Sequence, residues 1–237
     1  MARWMNLGVS GQCGWPDRQL EVTFGRYRFV LMPRTKNNSA SIHLETRHAH
    51  QLAEMTAVNR FLSIVSWSYK DSLRNEYGWS GNPIPVAVPA ENLVRSINPR
   101  FLIRWSPLQE PKQQLAVALY REAMSVNSLP FQFLGFFKII NVLHKSGPAQ
   151  VSWIRETLPK LIDSHLQERL VALHESEPDV AQYLYESGRC AVAHAFADPL
   201  IDPDDLIDLR RLSADLHVVR ALAEHLIEHE LHVPQYP

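Results

Sequence analysis

Tyr183-Leu-Tyr-Glu-Ser-Gly-Arg-Cys-Ala-Val-Ala-His-Ala195 closes a helical pattern and carries Arg189 and His194 with four residues between them. A guanidinium that is always charged, set beside an imidazole that titrates near neutrality, suits phosphate-ester chemistry. The spacing poses a geometric problem. Residues five apart on an ideal helix point about 140° from one another. Three arrangements solve it: the helix distorts near Ser187-Gly188, His194 lies past the helix end, or the same residues of a second chain complete the pair. The two-fold arrangement is preferred, because an isologous interface brings identical segments together. The plainer alternative pairs Arg189 with an acid such as Glu186 and leaves His194 to cap the helix.

Outward from this stretch the pattern stays helical. Asp202-Pro203-Asp204-Asp205 reads as a helix start, with an N-cap carboxylate, proline at the first position and acids facing the positive dipole end. Leu206, Leu209, Leu212, Leu216, Val219, Ala223 and Leu226 then form an apolar stripe. On the other side, Asp179 opens the segment that carries the pair, and Val151–His174 is helical with a break at Pro159. Pro130 opens a helix through Phe131–His144 that is apolar nearly all round, a composition that calls for burial by neighbours on several sides or by a partner chain. Pro111 opens another, with Leu115, Leu119 and Met124 on one face.

The N-terminal part reads differently. Leu20–Phe24 and Tyr27–Met32 are β-prone runs around Gly25-Arg26, a hairpin pattern. Ser41–Glu45 alternates polar and apolar residues. From about His48 to Tyr69, Leu52, Met55, Val58, Phe61, Leu62 and Val65 recur at helical spacing. Gly78–Pro111 is rich in Gly, Pro, Asn and Trp, and Phe101–Trp105 looks like one more strand. The fold class expected is α+β: a small N-terminal sheet with a helix over residues 1–107, then an all-α bundle over 108–237.

Composition narrows the function classes. The chain has 237 residues and a formal charge of -1, so no global basic field attracts nucleic acid, and any RNA contact must come from a local patch. Cys13 and Cys190 are the two cysteines, far apart and without a Cys-x-x-Cys spacing, which argues against a disulfide framework or a cysteine-rich zinc site. No signal-peptide pattern and no membrane-length apolar run is found, so a cytoplasmic protein is expected. Neither a phosphate-cradling glycine loop, a Gly-x-Ser-x-Gly elbow nor a dinucleotide fingerprint occurs. No cofactor and no metal are expected.

Three segments of the C-terminal half resemble the HEPN superfamily of small antiparallel helical bundles, known for an Arg-x4–6-His motif. Leu115-Ala-Val-Ala-Leu-Tyr-Arg-Glu-Ala123 followed by Leu129-Pro-Phe-Gln-Phe-Leu-Gly-Phe-Phe-Lys-Ile-Ile-Asn141 resembles the paired opening helices, Arg189–His194 matches the motif, and the closing long helix fits the end of the bundle. Within that superfamily the chain is most similar to the methylamine-utilisation MauJ type and to related defence-associated proteins. The resemblance implies a metal-independent endoribonuclease that uses Arg189 and His194, with RNA as substrate, a homodimer through the bundle, and a role in phage defence or as a toxin. It equally admits a non-catalytic module for dimerisation, RNA binding or scaffolding with an unidentified protein partner. Two departures from the family pattern motivate that alternative: Cys190 follows the motif arginine where active members often carry a polar residue, and Asn141 stands where an acid is frequent.

Other clusters have plainer readings. His225 and His229 have i, i+4 spacing able to bind zinc, but their surroundings fit a solvated helix face. His48-Ala-His50 reads as polar helix entry. Arg210-Arg211 reads as neutralising Asp204, Asp205 and Asp208. Trp67, Tyr69, Tyr77, Trp79 and Trp105 read as packing near the proline-rich join, with base stacking as the alternative.

Overall fold

The alternating runs of the N-terminal part become strands because each has one apolar face to bury. They are β1 (Arg3–Gly11), β2 (Gly14–Pro16), β3 (Leu20–Phe24), β4 (Tyr27–Met32), β5 (Ser41–Thr46), β6 (Leu73–Asn82) and β7 (Arg95–Ile97). In this computed structural model the described residues are 3–46, 51–89, 95–97, 106–162, 164–194, 201–202 and 205–234. The main sheet is antiparallel with order β3-β4-β5-β1-β6, and β2 and β7 form a short parallel pair. The expected hairpin is present: Phe24 faces Tyr27, and Gly25 supplies the positive φ of 60° that the first central position of a tight hairpin requires.

Helix α1 (Gln51–Tyr69) lays Ala57, Val58, Phe61, Leu62, Ile64 and Val65 into a core shared with Val9, Val22, Phe24, Phe29, Leu31 and Ile42 of the strands. Phe61 meets Phe24 and Phe29 edge-on at 5.4 and 5.3 Å between centroids, the arrangement that ring quadrupoles favour. The helix ends in a Schellman arrangement, with Asp71 N–H donating to Ser66 O and Lys70 N–H to Trp67 O. Lys70 takes the left-handed conformation (φ 50°) usually left to glycine, and its ammonium lies 4.5 Å from the Trp67 ring centre.

The remaining helices are α2 (Pro111–Ser125), α3 (Leu129–Ile140), α4 (Gly147–Thr157) with a 3-10 turn at Leu158–Lys160, α5 (Ser164–Ser176), α6 (Val180–Tyr183), α7 (Ala191–Ala193) and α8 (Leu206–His225). Two stretches are π-helical: Leu184–Cys190, which joins α6 to α7, and Leu226–Glu230 after α8. The chain is thus α+β, with an antiparallel sheet first and helices after it. Among the described residues no helix is long and apolar enough to cross a membrane.

The chain divides into two compact units, one of Met1–Ser125 with Pro234–Pro237 and the other spanning Val126–Val233. Helix α2 falls in the first of these units. The reason is local: α2 buries Ala116, Val117, Tyr120 and Ala123, and Tyr120 packs edge-on against Trp67 of α1 at 5.2 Å. One expectation meets the structure differently, some elements are new, and two segments lie outside the described residues. Strands β1 and β6, central and edge in the sheet, are additions to the sequence reading. The closing helix begins at Leu206 with Asp205 as its cap, accepting from Ile207 N–H at 2.7 Å, rather than at Asp202-Pro203. Phe101–Trp105 and His48–His50 lie outside the described residues.

A buried polar network crosses the sheet. His43 of β5 has no solvent exposure, with Nε2 2.8 Å from Ser41 Oγ and Nδ1 2.9 Å from Asn6 Oδ1. Burial pushes its imidazole down from 6.5 to about 4, because the charged form loses its hydration. Above pH 6.5 the group is neutral in both folded and unfolded chains and contributes nothing to pH dependence. As pH falls from 6.5 towards 4, the unfolded chain takes up the proton first and stability is lost, by about 3 kcal/mol in total. Urea unfolding at pH 7 and at pH 4.5 should show that loss in the native chain and a smaller one in His43→Gln. An equal pH dependence in the two proteins would rule out His43 as its source.

Candidate functional site

Asp179 starts the segment that carries the arginine and histidine. Its Oδ1 accepts from Ala181 N–H at 3.1 Å and Gln182 N–H at 3.2 Å, an N-cap that satisfies two donors of α6. Arg155 Nη2 binds the same carboxylate at 2.5 Å and holds its pKa below the usual value. After one α-helical turn the backbone widens into the π-helix. Ala191 N–H reaches back five residues to Glu186 O as well as three to Gly188 O. His194 then leaves the helix with extended dihedrals (φ -130°, ψ 115°), its N–H still donating to Cys190 O at 3.0 Å.

Two of the three arrangements open to the sequence therefore act together within one chain. The helix distorts at Ser187-Gly188, and His194 lies past its end. Arg189 Nη1 comes to 3.4 Å from His194 Nε2. A guanidinium can only donate, so a hydrogen bond between the two has Nε2 as its acceptor.

The surroundings of Arg189 are short of anions. Its Nη1 also lies 3.7 Å from Cys190 Sγ, and its guanidinium sits 5.7 Å from the Tyr185 ring centre. Its Nε is buried and makes no hydrogen bond. Among the described residues no carboxylate forms an ion pair with it. Glu186, the acid expected as its plain partner, accepts instead from Gln182 Nε2 at 2.6 Å. Burial raises the Tyr185 hydroxyl's pKa, and the neighbouring Cys190 adds to the effect. A half-buried guanidinium can take a phosphate, and an imidazole beside it can accept a proton from a neighbouring hydroxyl.

Helix α3 forms the wall behind the π segment. Phe133, Phe136, Phe137, Ile139 and Ile140 are buried, as its nearly all-apolar composition required. Phe137 meets Tyr185 at 6.2 Å. Asn141 caps the helix, and its Oδ1 is buried without a hydrogen-bond partner.

The sequence reading missed the residues that support the pair from α8. Arg211 was expected to neutralise nearby aspartates. Instead its Nη1 donates to Ser187 O at 3.0 Å and to Tyr183 Oη at 3.2 Å. The Tyr183 hydroxyl donates to Asp215 Oδ2 at 2.8 Å, and Arg169 of α5 donates to Asp215 Oδ1 through Nε at 2.9 Å and Nη2 at 2.6 Å. One signal was available: Asp215 follows Leu212 by three residues and precedes Val219 by four, which places a carboxylate inside an apolar stripe.

The other candidates are not brought to this pair. His225 and His229 face each other at 4.5 Å between ring centres, and burial lowers the His225 pKa, followed by the neighbouring His229 and Lys160. Among the described residues no group of three ligand-type side chains converges on a metal position. An open groove of about 410 Å³ lies between α4, α5 and the start of α6, lined by Leu158, Leu170, Val171, His174 and the Arg155–Asp179 pair. It contains neither Arg189 nor His194. Trp67 is buried against α2, and Trp79 Nε1 donates to Asn82 Oδ1 at 2.7 Å, so both rings are engaged in the first unit.

Fold and site together define an α+β protein whose C-terminal helices present an arginine–histidine pair at a π-helical distortion. Residues 116–228 match the family described as Methylamine utilization protein MauJ, so this half of the chain is MauJ-like. The match runs from within α2 to the π-helical turn after α8. No curated protein and no solved structure gives a significant match.

The π segment depends on close packing at Gly188. A Cβ there would lie 2.7 Å from Phe133 Cε1 and closer still to Cζ. Replacing glycine by alanine in an open helix stabilises it by about 1 kcal/mol, whereas forcing a methyl into a packed core costs about 1–3 kcal/mol. Gly188→Ala should therefore lower stability, and Phe133→Leu in the same chain should recover part of the loss, as read by urea denaturation. A stabilised Gly188→Ala protein would contradict the packing described here.

Proposed function

We propose that this protein is a metal-independent endoribonuclease of HEPN type. The observation that carries the reading is the 3.4 Å approach of Arg189 Nη1 to His194 Nε2, made by a guanidinium that no carboxylate neutralises among the described residues. RNA holds its own nucleophile in the ribose 2′-hydroxyl. When Arg189 turns its donors to the phosphate, His194 Nε2 is freed to take that proton, the 2′-oxygen bonds to the adjacent phosphorus, and the bond to the 5′-oxygen breaks. The products are a 2′,3′-cyclic phosphate and a 5′-hydroxyl. Arg189 neutralises charge that grows on the phosphoryl oxygens, the kind of preorganised stabilisation that outweighs proton transfer alone. An imidazolium must protonate the leaving oxygen, and His194 of a second copy across a two-fold axis supplies it in a homodimer.

The setting proposed is the cytoplasm, in phage defence or as a toxin. The description of the matched family ties its namesake to methylamine utilization, which names a setting rather than a reaction. A second reading keeps the same helices as a non-catalytic module for dimerisation, RNA holding or scaffolding. The buried Asn141 Oδ1, which makes no hydrogen bond, and the chain's formal charge of -1 favour it.

Purified protein should cut single-stranded or structured RNA in the presence of a chelator, leaving cyclic-phosphate ends. His194→Ala and Arg189→Ala should each lower the rate by about 10²-fold or more. Cleavage that persists unchanged in His194→Ala would sink the assignment. Salt-sensitive RNA binding without cleavage would favour the second reading.

A further inference from the structure

A continuous run of hydrogen bonds links α5, α8 and the π segment. It starts at Asp215, of which 2% is exposed. Arg169 of α5 secures one carboxylate oxygen through two donors, and the Tyr183 hydroxyl donates to the other. Because its one proton goes to Asp215, the Tyr183 oxygen turns its lone pairs towards Arg211 Nη1 at 3.2 Å. The same nitrogen reaches Ser187 O at 3.0 Å, in the middle of the π segment. Arg211 and Asp215 are one turn apart on α8, so a single helix face grips the segment at its entry and at its centre. Burial and the nearby Asp215 carboxylate raise the Tyr183 pKa and Arg211 opposes them, which leaves a protonated donor at neutral pH.

π-helical turns are rare and interrupt the regular α-helical pattern, so a seven-residue one needs support from outside. In the α register Arg189 and His194 would point about 140° apart. We infer that Tyr183, Arg211 and Asp215 are positioning residues, which hold Leu184–Cys190 in its π register and thereby hold Arg189 against His194. None of the three touches the pair. They act through the backbone, while Phe133 against Gly188 closes the same segment on its α3 side. The kinetic part of this inference rests on the ribonuclease reading, and the spectroscopic part does not.

The test uses the full chain with Tyr183→Phe, Arg211→Met and Arg211→Lys, each checked for native circular dichroism. The first readout is the set of His194 ring signals in nuclear magnetic resonance. In the native background Arg189→Gln should shift them. In the Arg211→Met and Tyr183→Phe backgrounds that response should vanish, and Arg211→Lys, which keeps one donor, should restore part of it. A response of equal size with and without the clamp overturns the inference, whether or not the protein cuts RNA. The second readout is RNA cleavage: kcat should fall on the order of 10- to 100-fold in Tyr183→Phe and Arg211→Met, with KM unchanged to within about twofold. If KM rises while kcat holds, the clamp serves binding and the positioning role is lost. If His194→Ala cleaves as well as the native chain, the ribonuclease reading fails, and the His194 signals still decide the clamp. Should Arg211→Met fail to fold, Tyr183→Phe carries both readouts, since it removes one hydroxyl and keeps the ring.

Discussion

A carboxylate almost sealed from solvent organises the second unit. Burying the Asp215 charge costs several kcal/mol unless hydrogen-bond donors replace its lost water. Three donors from two other segments do so: Arg169 Nε and Nη2 from α5, and the Tyr183 hydroxyl from the end of α6. The requirement fixes more than Asp215. Each donor must arrive at a defined distance, so the elements that bear them are held to α8. Arg211 uses the same helix face to reach the π segment. The apolar contacts of α3 supply bulk stabilisation and close the π segment at Gly188. The polar network holds the same segment from the α8 side.

The first unit meets the same physical demand by the opposite route. His43 is as deeply buried as Asp215, yet it has no charged partner among its described contacts. Ser41 and Asn6 satisfy its two ring nitrogens, and the imidazole stays neutral down to about pH 4. Asn6 extends the arrangement by accepting from Val86 N–H at 2.8 Å and donating to Asn82 Oδ1 at 3.2 Å. A discharged group of this kind ties strands together without the cost of a buried ion, whereas a paired ion such as Asp215 demands more of its neighbours and specifies their placement more sharply.

How far the sequence revealed these features depends on the range of the interactions involved. The hairpin at Gly25 and the break at Pro159 rest on local backbone preferences, and both are where the residues place them. Strand β1 was passed over although Met5, Leu7 and Val9 alternate with Asn6, Gly8 and Ser10; what the pattern does not reveal is that its polar face is buried as well. Those positions are buried by β5 and β6, which lie far away in sequence. The cap of α8 lies three residues past the expected Asp202: Asp205 takes that role, while Asp202 N–H donates to Asp208 Oδ2 at 2.9 Å. Arg189 and His194 were legible as a pair, but their contact was not. A π-helix has no composition of its own. It follows from Gly188 admitting Phe133 and from Arg211 capturing Ser187 O, contacts between residues remote in the chain.

The π segment also changes what a second copy of the chain is needed for. From sequence, the strongest reason to invoke a two-fold axis was angular: an α-helix points residues 189 and 194 to different sides. The described geometry removes that reason, since one chain brings Nη1 and Nε2 to 3.4 Å by itself. A lone pair can bind phosphate and remove a proton. It lacks a second imidazole to give one to the leaving oxygen, because one His194 cannot serve as base and as acid in the same step. Tyr185, whose pKa is raised by burial, is a poor substitute acid at neutral pH. The case for a homodimer therefore moves from the assembly of the pair to the leaving-group proton. A monomer that bound RNA and cut it slowly would have all the geometry described here and would lack only that proton.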